Sequence, residues 1–312
     1  MQATALTVAI CTMDRPGPLR DTMAALAGQD ATVPWDVLVM DEGRVPVDAD
    51  ALRAALAGRA GLRVSRKGVG DAPGLYGSRL ACVRECAAPL VLFLDDDAVP
   101  ARDYIGRLSS LADASPDASG FGGVDTLGLP ATAPAVALAY ARFFGVAGPG
   151  PGSLGRSGHN HAQMTWRGQD RPFRSEFLHG CNMAFRTAAL RGLPDLPWLR
   201  GHSCCEDLVL STHAARSGPL LVDPGLSVEH ALAPGGRGDE GARLRATLLN
   251  HARFQAWRRP GASRTAYAVA MAGLLGKDLT RKKRARGLPA RSILSCYLDA
   301  FPEAMAVLGR AA

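Results

Sequence analysis

An α/β fold with a mainly parallel sheet is predicted for this chain of 312 residues. In the first hundred residues, short apolar runs alternate with amphipathic stretches, which is typical of βαβ units. Polar residues follow three of these runs directly, and in a parallel sheet the carboxyl ends of the strands form the ligand-binding edge. A hydrophobic content of 47% is enough for one large core or two modest ones.

The regular elements of the first half are read from their apolar spacing. Strands are predicted over 6–11, 35–40, 62–65 and 90–94, each followed by a polar or glycine-containing turn. Helices are predicted over 18–26, 49–57 and 75–86, with apolar residues three to four positions apart. Asp48 and Asp71 stand where a carboxylate can cap a helix.

The second half is less regular. A helix is predicted near 102–111, an irregular excursion or lid over 129–174, a strand over 182–185, a helix over 206–216 and strands over 220–223 and 226–230. We expect a catalytic domain over 1–232. A helical, basic C-terminal extension over 233–312 should follow, with helices over 242–257, 266–275 and 293–308.

Three consecutive acids, Asp95, Asp96 and Asp97, follow the strand predicted at 90–94. Alternate side chains of an extended segment share a face, so Asp95 and Asp97 should converge while Asp96 points the other way. A cation of the magnesium type binds through one or two carboxylates and takes its other ligands from water and phosphates. The triplet therefore predicts a site for a metal and a nucleotide diphosphate, with a solvated acidic turn as the alternative.

Charge and cysteine content restrict the class of protein further. The net charge of +7 favours an anionic ligand or surface. Seven cysteines, an odd number without zinc-type spacing, are expected to be reduced and mostly buried. The sequence starts without a cleavable signal pattern and has no apolar run long enough to cross a bilayer, so a cytoplasmic location is expected.

The order of motifs over residues 5–232 resembles that of the family 2 glycosyltransferases, inverting enzymes with the GT-A fold. The matching segments are CTMDRP at 11–16, DEG at 41–43, GSR at 77–79, FLDDD at 93–97, GCNMAFR at 180–186 and ED at 206–207. Two departures concern the nucleobase. Glu42 and Gly43 replace a usual acid and serine, and Leu80 stands where asparagine is common.

The resemblance implies a role for each matching residue. Thr12 and Asp41 would hold the nucleobase, with the Asp41 carboxylate accepting from a base N–H, which fits uracil. Asp95 would reach the ribose, and Asp97 would ligate a Mn²⁺ or Mg²⁺ ion on the diphosphate. The expected donor-binding set is Thr12, Arg15, Asp41, Arg79, Asp95, Asp96, Asp97, Gly180 and Asn182.

Catalysis also needs a base for the acceptor hydroxyl. Asp207 is expected in this role, with Glu206 as the fallback, although carboxylates at a helix start are often simple caps. His230 resembles the histidine that some family members use as a second metal ligand, with a structural role as the alternative. His159 and His161 have alternate spacing that could bind a cation, but a glycine-rich polar loop is the commoner explanation.

The predicted function is metal-dependent, inverting transfer of a sugar from a nucleotide diphosphate, most simply UDP, to an acceptor hydroxyl. A nucleotidyltransferase that makes sugar nucleotides and a noncatalytic sugar-nucleotide binder are the alternatives. A basic cluster could contact anionic lipid or an acidic acceptor, or be a solvated face; its members are Lys277, Arg281, Lys282, Lys283, Arg284 and Arg286. Aromatic residues do not interleave with it, which argues against nucleic acid.

Overall fold

The structure is a computed structural model that describes residues 4–67, 74–130, 132–201, 204–231, 239–280 and 287–310. The chain divides into two compact units. Unit 1 comprises Met1–Ala131 and Trp166–Gly236, and unit 2 comprises Thr132–Thr165 and Arg237–Ala312. The domain boundary at residue 232 stays a prediction. The grouping of residues 132–165 with the helical unit was not anticipated.

Unit 1 is built on one sheet, and its α/β class confirms the predicted fold. In the described residues the strands follow the order β3-β2-β1-β4-β8-β6-β9-β5, with β7 paired to β9. Their bounds are β1 Leu6–Thr12, β2 Trp35–Asp41, β3 Gly61–Arg66, β4 Leu90–Asp95, β5 Ala98–Pro100, β6 Gly120–Asp125, β7 Phe173–Ser175, β8 Asn182–Arg186 and β9 Leu220–His230.

The first four strands are all parallel, as their alternation with helices predicts. The side chains of β1, β2 and β4 are mostly apolar and buried, because helices cover both faces of such a sheet. Strand β3 lies at the edge of the sheet, and its residues are exposed or half-buried. Strands β1, β2 and β4 all end in a side chain with an oxygen, namely Thr12, Asp41 and Asp95. These three ends form the polar edge that the sequence predicts.

The other half of the sheet is mixed. Strand β8 pairs antiparallel with β4 and β6, whereas β6 and β9 are parallel. Strand β6 was not predicted, because its sequence GFGGVD contains three glycines. Close packing explains them: a Cβ at Gly123 would lie 1.5 Å from the Leu226 carbonyl oxygen, and one at Gly120 would lie 2.7 Å from Leu220.

Helices of unit 1 cover the sheet and agree with the predicted positions to within a few residues. They are α1 Pro16–Ala27, α2 Ala49–Ala55, α3 Leu75–Glu85, α4 Tyr104–Ala114 and, after α5 of unit 2, α6 Glu206–Ala214. The predicted cap Asp48 is confirmed, because its carboxylate accepts from the backbone N–H groups of Asp50 and Ala51. Asp71 lies outside the described residues.

Unit 2 is helical in its described residues. Its helices are α5 Ala135–Phe143, α7 Glu240–Arg258, α8 Arg264–Thr280 and α9 Ala290–Arg310. The three C-terminal helices confirm the predicted ones. The expected irregular segment instead contains α5 and a 3₁₀ helix, His161–Gly168. Helix α5 packs on α8, where Tyr140 Oη donates to the Gly273 carbonyl at 2.6 Å and Phe144 covers the same glycine. A lid role for this segment stays a prediction.

Two further expectations can be compared with the structure. All seven cysteines are free thiols, as predicted from their number and spacing. Among the helices of the described residues, none combines the length and hydrophobicity that a bilayer crossing requires. The basic run from Arg281 to Arg286 lies outside the described residues, and only Lys277 of the predicted basic cluster is described.

Candidate active site

The acidic triplet forms the turn between β4 and β5, and it meets His230 at the end of β9. Strand β5 pairs antiparallel with β9 so that Ala98 lies opposite His230. This pairing brings His230 Nε2 to 3.1 Å from Asp97 Oδ1 and 3.5 Å from Asp95 Oδ2. Asp95 and Asp97 thus share one face, as the strand periodicity predicts.

Asp96 points to the other side of the triplet. Its carboxylate accepts from Thr12 Oγ1 at 2.7 Å and from the Arg15 guanidinium at 2.6 Å. The second Arg15 nitrogen lies 2.5 Å from Asp97 Oδ2. Burial raises the pKa of Asp96 to about 6, although the Thr12 hydroxyl and the Arg15 charge act in the opposite direction. Arg15 therefore links two of the three acids and fixes the conformation of the turn.

The face shared by Asp95, Asp97 and His230 has the donor atoms of a divalent cation site. One ligand atom from each residue can be chosen so that all three lie within 4.8 Å of one another. Carboxylate oxygens suit Mg²⁺ and Mn²⁺, and imidazole nitrogen suits transition metals, so the mixed set fits Mn²⁺ better than Mg²⁺. Aspartate neighbours raise the pKa of His230, although burial alone would lower it.

Two residues behind this face were missed in the sequence. Asp125 ends β6, is 2% exposed and lies with Oδ2 4.0 Å from His230 Nδ1. Its other oxygen accepts from the Leu127 and His230 backbone N–H groups at 2.9 and 3.3 Å. His179 lies on the same side, and burial lowers its pKa. A carboxylate behind a ligating imidazole is a common way of fixing the tautomer of a metal ligand.

Arg79 of α3 is a buried cation at the centre of the site. Its guanidinium donates to Glu206 Oε1 at 3.1 Å, to Asp95 Oδ1 at 3.2 Å and to the Gly180 carbonyl at 2.7 Å. The side chain is 2% exposed and lies over the Phe93 ring. Burial alone would lower the pKa of Arg79, but the two acids outweigh it and raise the pKa.

Glu206 and Asp207 begin α6. Burial and the adjacent Asp207 charge raise the pKa of Glu206 well above its usual value, with Arg79 opposing this shift. Asp207 is half-buried, and its Oδ1 accepts from the Leu208 N–H at 2.8 Å. A Cβ at Gly180 would lie 3.4 Å from Asp207 Cβ and 3.5 Å from Glu206 Oε1. Gly180 therefore lies directly against both acids.

A backbone contact connects the starts of α3 and α6. Gly74 and Gly201 form an isolated parallel β-bridge, and both have positive φ angles, 92° and 75°. A Cβ at Gly74 would lie 2.1 Å from the Gly201 carbonyl oxygen. Cys205, directly before α6, also has a left-handed conformation, with φ 77°. Glycine adopts such angles without strain, whereas Cys205 does not, and strained non-glycine residues cluster at functional sites.

Comparisons with known proteins agree with this geometry. Residues 7–130 match the model of the family described as Glycosyl transferase family 2. The structure is similar to the mannosyltransferase PcManGT from Pyrobaculum calidifontis in complex with GDP-Man and Mn²⁺, with a TM-score of 0.54 and 17% identity over 99% of this chain and 86% of that one. A similar match, TM-score 0.54 and 14% identity over 98% and 83% of the two chains, is S. aureus TarS 1-349 in complex with UDP. A search of curated proteins found no significant match.

Residues 7–130 thus carry a Glycosyl transferase family 2 domain, on a fold similar to that of known GT-A glycosyltransferases. The predicted resemblance and enzyme class are thereby confirmed. The likeness to solved structures concerns the fold, and the roles of individual residues in the glycosyltransferase stay predictions.

The predicted nucleobase-binding residue Asp41 ends β2. Asp41 is 1% exposed, and its carboxylate accepts from the backbone N–H groups of Gly43 at 2.7 Å and Val47 at 3.2 Å. A Cβ at Gly43 would lie 2.9 Å from Asp41 Oδ1, so this departure from the usual serine allows the backbone to close on the carboxylate. Arg66, at the end of β3, lies 4.0 Å from the same carboxylate.

Glu42, the other departure, is part of an ion pair. Its carboxylate lies 2.7 Å from Lys67 Nζ and accepts from Ser78 Oγ at 3.0 Å and from the Gly74 N–H at 2.8 Å. Glu42 therefore connects the ends of β2 and β3 to the start of α3. With three partners, the Glu42 side chain has a structural role at this end of the sheet.

Asn182 differs from the other predicted donor-binding residues of the glycosyltransferase. The side chain is fully buried, its amide donates to the Leu226 carbonyl at 3.0 Å, and its carbonyl oxygen accepts from the Tyr104 hydroxyl. The structure thus brings Thr12, Arg15, Arg79, the Asp triplet, Gly180, His230 and the α6 acids together, whereas the Asn182 amide is bonded inside the sheet. Its role in donor binding stays a prediction.

His159 and His161, the other predicted cation ligands, belong to unit 2. The His159 ring stacks on His251 with centroids 4.1 Å apart, and its Nδ1 lies 2.8 Å from Ser157 Oγ. His161 Nε2 accepts from Lys277 Nζ at 2.7 Å. Burial lowers the pKa of His159 well below the ordinary value, and the neighbouring imidazoles and Lys277 lower it further. Two stacked imidazole rings with hydrogen-bonded neighbours are typical of a structural polar cluster.

Proposed function

We propose that this enzyme is a metal-dependent, inverting glycosyltransferase that moves a sugar from a UDP-linked donor to an acceptor hydroxyl. One observation supports the proposal above all others. Asp95, Asp97 and His230 converge at the end of β4, and the buried Arg79 connects Asp95 to the Glu206-Asp207 pair. The proposed ligands of the cation that stabilises the departing diphosphate are therefore connected through Arg79 to the carboxylates proposed to accept the proton of the incoming hydroxyl.

The proposed metal ligands are Asp97, Asp95 and His230, with Mn²⁺ favoured over Mg²⁺ by the imidazole. When bound, such a cation supplies Lewis-acid stabilisation of the leaving diphosphate. The chain itself holds the ligands in place, because Arg15 pairs with Asp97 and the Asp125 carboxylate lies behind the His230 ring. The similar PcManGT structure is a complex with both GDP-Man and Mn²⁺, which supports a manganese-type site on this fold.

The proposed base is Asp207. Glu206 is buried and paired with Arg79 at 3.1 Å, so its carboxylate already neutralises a cation. Asp207 is half-buried and more exposed than Glu206, and it lies beside Gly180, whose lack of a side chain allows close packing of the two acids and Arg79. Inversion follows from a single displacement, in which the acceptor hydroxyl loses its proton to Asp207 as its oxygen attacks the anomeric carbon and the diphosphate departs.

The donor is proposed to be a uridine diphosphate sugar. The Asp41 carboxylate at the end of β2 retains acceptor capacity beyond its two backbone N–H partners and could receive the N–H of uracil. Guanine also offers N–H groups to a carboxylate, and one of the two similar structures carries GDP-Man while the other carries UDP. A calorimetric screen of UDP and GDP sugars with Mn²⁺ tests the base directly. Tighter binding of GDP sugars would refute the uridine proposal.

We also propose a cytoplasmic enzyme that contacts a membrane peripherally through its C-terminal region. Seven free thiols fit a reducing compartment. The basic run of residues 281–286 supplies the charge for an anionic surface.

The decisive experiment is the Asp207→Asn variant. Donor binding measured by calorimetry should be retained, while turnover should fall by about 10²-fold or more, because a base contributes about that much. Asp113→Asn, an exposed substitution on α4, is the matched control and should behave like the wild type. Unchanged turnover in Asp207→Asn would refute the base assignment. Binding without any turnover in the wild-type protein would favour a noncatalytic binder, and formation of a sugar nucleotide from sugar phosphate and nucleoside triphosphate would favour a nucleotidyltransferase.

A further inference from the structure

Formal charge is distributed very unevenly between the two units. Unit 2 contains 17 Lys and Arg residues against five Asp and Glu, a net charge of +12. Because the whole chain carries +7, unit 1 must carry −5. Unit 2, about a third of the chain, therefore has a larger net positive charge than the whole chain, because unit 1 is acidic. Such a field attracts anionic surfaces over distances of about 10 Å at physiological salt.

Helix α9 carries an apolar stripe that the core of unit 2 does not cover. Its inner face, which includes Ile293 and Tyr297, is buried. The outer residues Leu294, Leu298 and Phe301 are 42%, 63% and 41% exposed. Their spacing of four and then three residues places them on one side of the helix. Helix α9 is thus apolar on two adjoining sides, although only one of them packs against the protein.

Positive charge accompanies this stripe. Arg291 is exposed and precedes Leu294 by three residues, which places it on the same side of α9. In the sequence, five further basic residues at 281–286 come shortly before the helix. Glu303, an acid of α9, is neutralised by Arg245 and Arg253 of α7, each 2.8 Å away. The N-terminal end of α9 therefore combines apolar and basic residues.

Other exposed apolar residues of the described chain are also concentrated in unit 2. Helix α5 exposes Val136 and Phe143 at 83% and 80%, and α8 exposes Val269 at 42%. In unit 1 the exposed ones, such as Val45 and Leu127, lie singly on separate loops. Scattered single residues are normal on a protein surface, but a row on one helix indicates an interaction.

We propose that unit 2 docks on the surface of an anionic lipid bilayer, with the apolar stripe of α9 entering the interface and Arg291, which lies on the same side of the helix, contacting lipid headgroups. Interfacial helices combine these two features, a row of large apolar residues and flanking Lys or Arg. A soluble polyanion would satisfy the charge but leave the stripe exposed. A second copy of the chain would bring one +12 unit towards another, which charge repulsion opposes.

This inference extends the membrane contact of the proposed function by naming the contacting helix, and it does not depend on the glycosyl-transfer chemistry. Vesicle binding requires no donor, metal or acceptor. A failure in the binding experiment therefore leaves the proposed reaction standing, and a failure in the turnover experiment leaves the docking proposal standing.

The test is vesicle flotation of the full chain. Vesicles of phosphatidylcholine alone should leave the wild-type protein at the bottom of the gradient, while an equal mixture with phosphatidylglycerol should float it at low salt. Leu294→Ser/Leu298→Ser should bind the mixed vesicles at least about tenfold more weakly. Arg291→Gln, which removes the exposed positive charge beside the stripe, should weaken binding by roughly fivefold.

Val45→Ser/Leu127→Ser is the matched control, because it removes two exposed aliphatic side chains from the acidic unit, and it should float like the wild type. Unchanged unfolding temperatures would show that each variant remains folded. The proposal is overturned if the wild type does not float with mixed vesicles, or if the α9 leucine variant floats as well as the wild type. Tight binding to heparin without flotation would assign the charge to a soluble polyanion and would also overturn it.

Discussion

The two units differ in whether their charged side chains are buried. Among the described residues, unit 1 buries seven formally charged side chains, which are Asp41, Arg79, Asp96, Asp97, Asp125, Glu206 and Asp223. The buried polar residues of unit 2 include no Asp, Glu, Lys or Arg among the described residues; they are Ser157, His159, Asn250, His251 and Gln255. Unit 2 nevertheless has the larger net charge, so its charged groups lie nearer the surface.

This difference separates two uses of charge. Burying an ion costs several kcal/mol, which is offset only by good pairing and hydrogen bonds. Unit 1 meets that cost at the strand ends, where Arg15 and Arg79 pair with the acids and hold them in fixed positions for chemistry. Exposed charges cost little to fold and act on partners at a distance, which suits a docking surface.

The largest expected effect comes from removing a buried acid of unit 1. Asp97→Asn should lower kcat/KM by about three to four orders of magnitude. Asp97 is a proposed ligand of the metal ion, and metal stabilisation of the leaving diphosphate is worth several kcal/mol. Mn²⁺ binding, measured by electron paramagnetic resonance, should weaken in parallel. Asp113→Asn, which removes an exposed acid of the same unit, should change neither quantity. Normal Mn²⁺ affinity in Asp97→Asn would show that the acidic turn is structural.

A second test of how unit 1 tolerates buried charge is to remove its central buried cation, Arg79. Arg79→Met should lower the free energy of unfolding by about 3 kcal/mol, because Glu206 then remains buried beside an uncharged side chain. Urea unfolding measures this loss. The double variant Arg79→Met/Glu206→Gln should recover part of it. If the double variant is no more stable than the single one, the pair does not stabilise unit 1 in this way.

Asp125 provides a smaller and more specific test. Asp125→Asn should weaken Mn²⁺ binding by about 10- to 100-fold, because the carboxylate behind His230 would no longer orient the imidazole. In a His230→Ala background the same substitution should have almost no further effect on Mn²⁺ affinity. Equal effects of Asp125→Asn in both backgrounds would mean that Asp125 does not act through His230.

The smallest effect concerns the neutral interior of unit 2. The pKa of His159 is lowered on folding from its usual 6.5, so the unfolded chain takes up a proton that the folded one resists. Stability from this residue is therefore complete above pH 6.5 and decreases as the pH falls. Between pH 7.5 and 5.5 the free energy of unfolding should fall by about 1 kcal/mol, measured by urea unfolding.

His159→Phe should reduce this pH dependence, while His213→Phe, a substitution in unit 1, should retain it. The groups that face His159 are His251, His161 and Lys277, and each of them disfavours its protonation. An unchanged pH dependence in His159→Phe would assign the acid sensitivity to another group.

The parallel half of the sheet and its edge could be predicted because both follow from local patterns. Runs of apolar residues define β1, β2 and β4, and the period of two along a strand places Asp95 and Asp97 on one face. The convergence of His230 with these acids was expected only from the family resemblance. In the structure, the antiparallel pairing of β5 with β9 produces it.

Strand β6 and its terminal Asp125 could not be predicted in this way. Three of its six residues are glycines, which usually indicate a loop, and their purpose becomes visible only when the neighbouring strands are in place. Asp125 has no sequence neighbour that indicates a functional role. The exposed apolar side of α9 could not be predicted from the sequence either. A helix with one buried and one exposed apolar side has the same residue pattern as a helix whose two apolar sides are both buried.

The bridge between Gly74 and Gly201 limits which sequences can form this active site. Since even a methyl group at position 74 would collide with the facing backbone, no other amino acid can be accommodated there while residues 74 and 201 keep this contact. A random substitution screen should consequently tolerate almost nothing at this position. That intolerance would arise from geometry alone, in a residue without any reactive group.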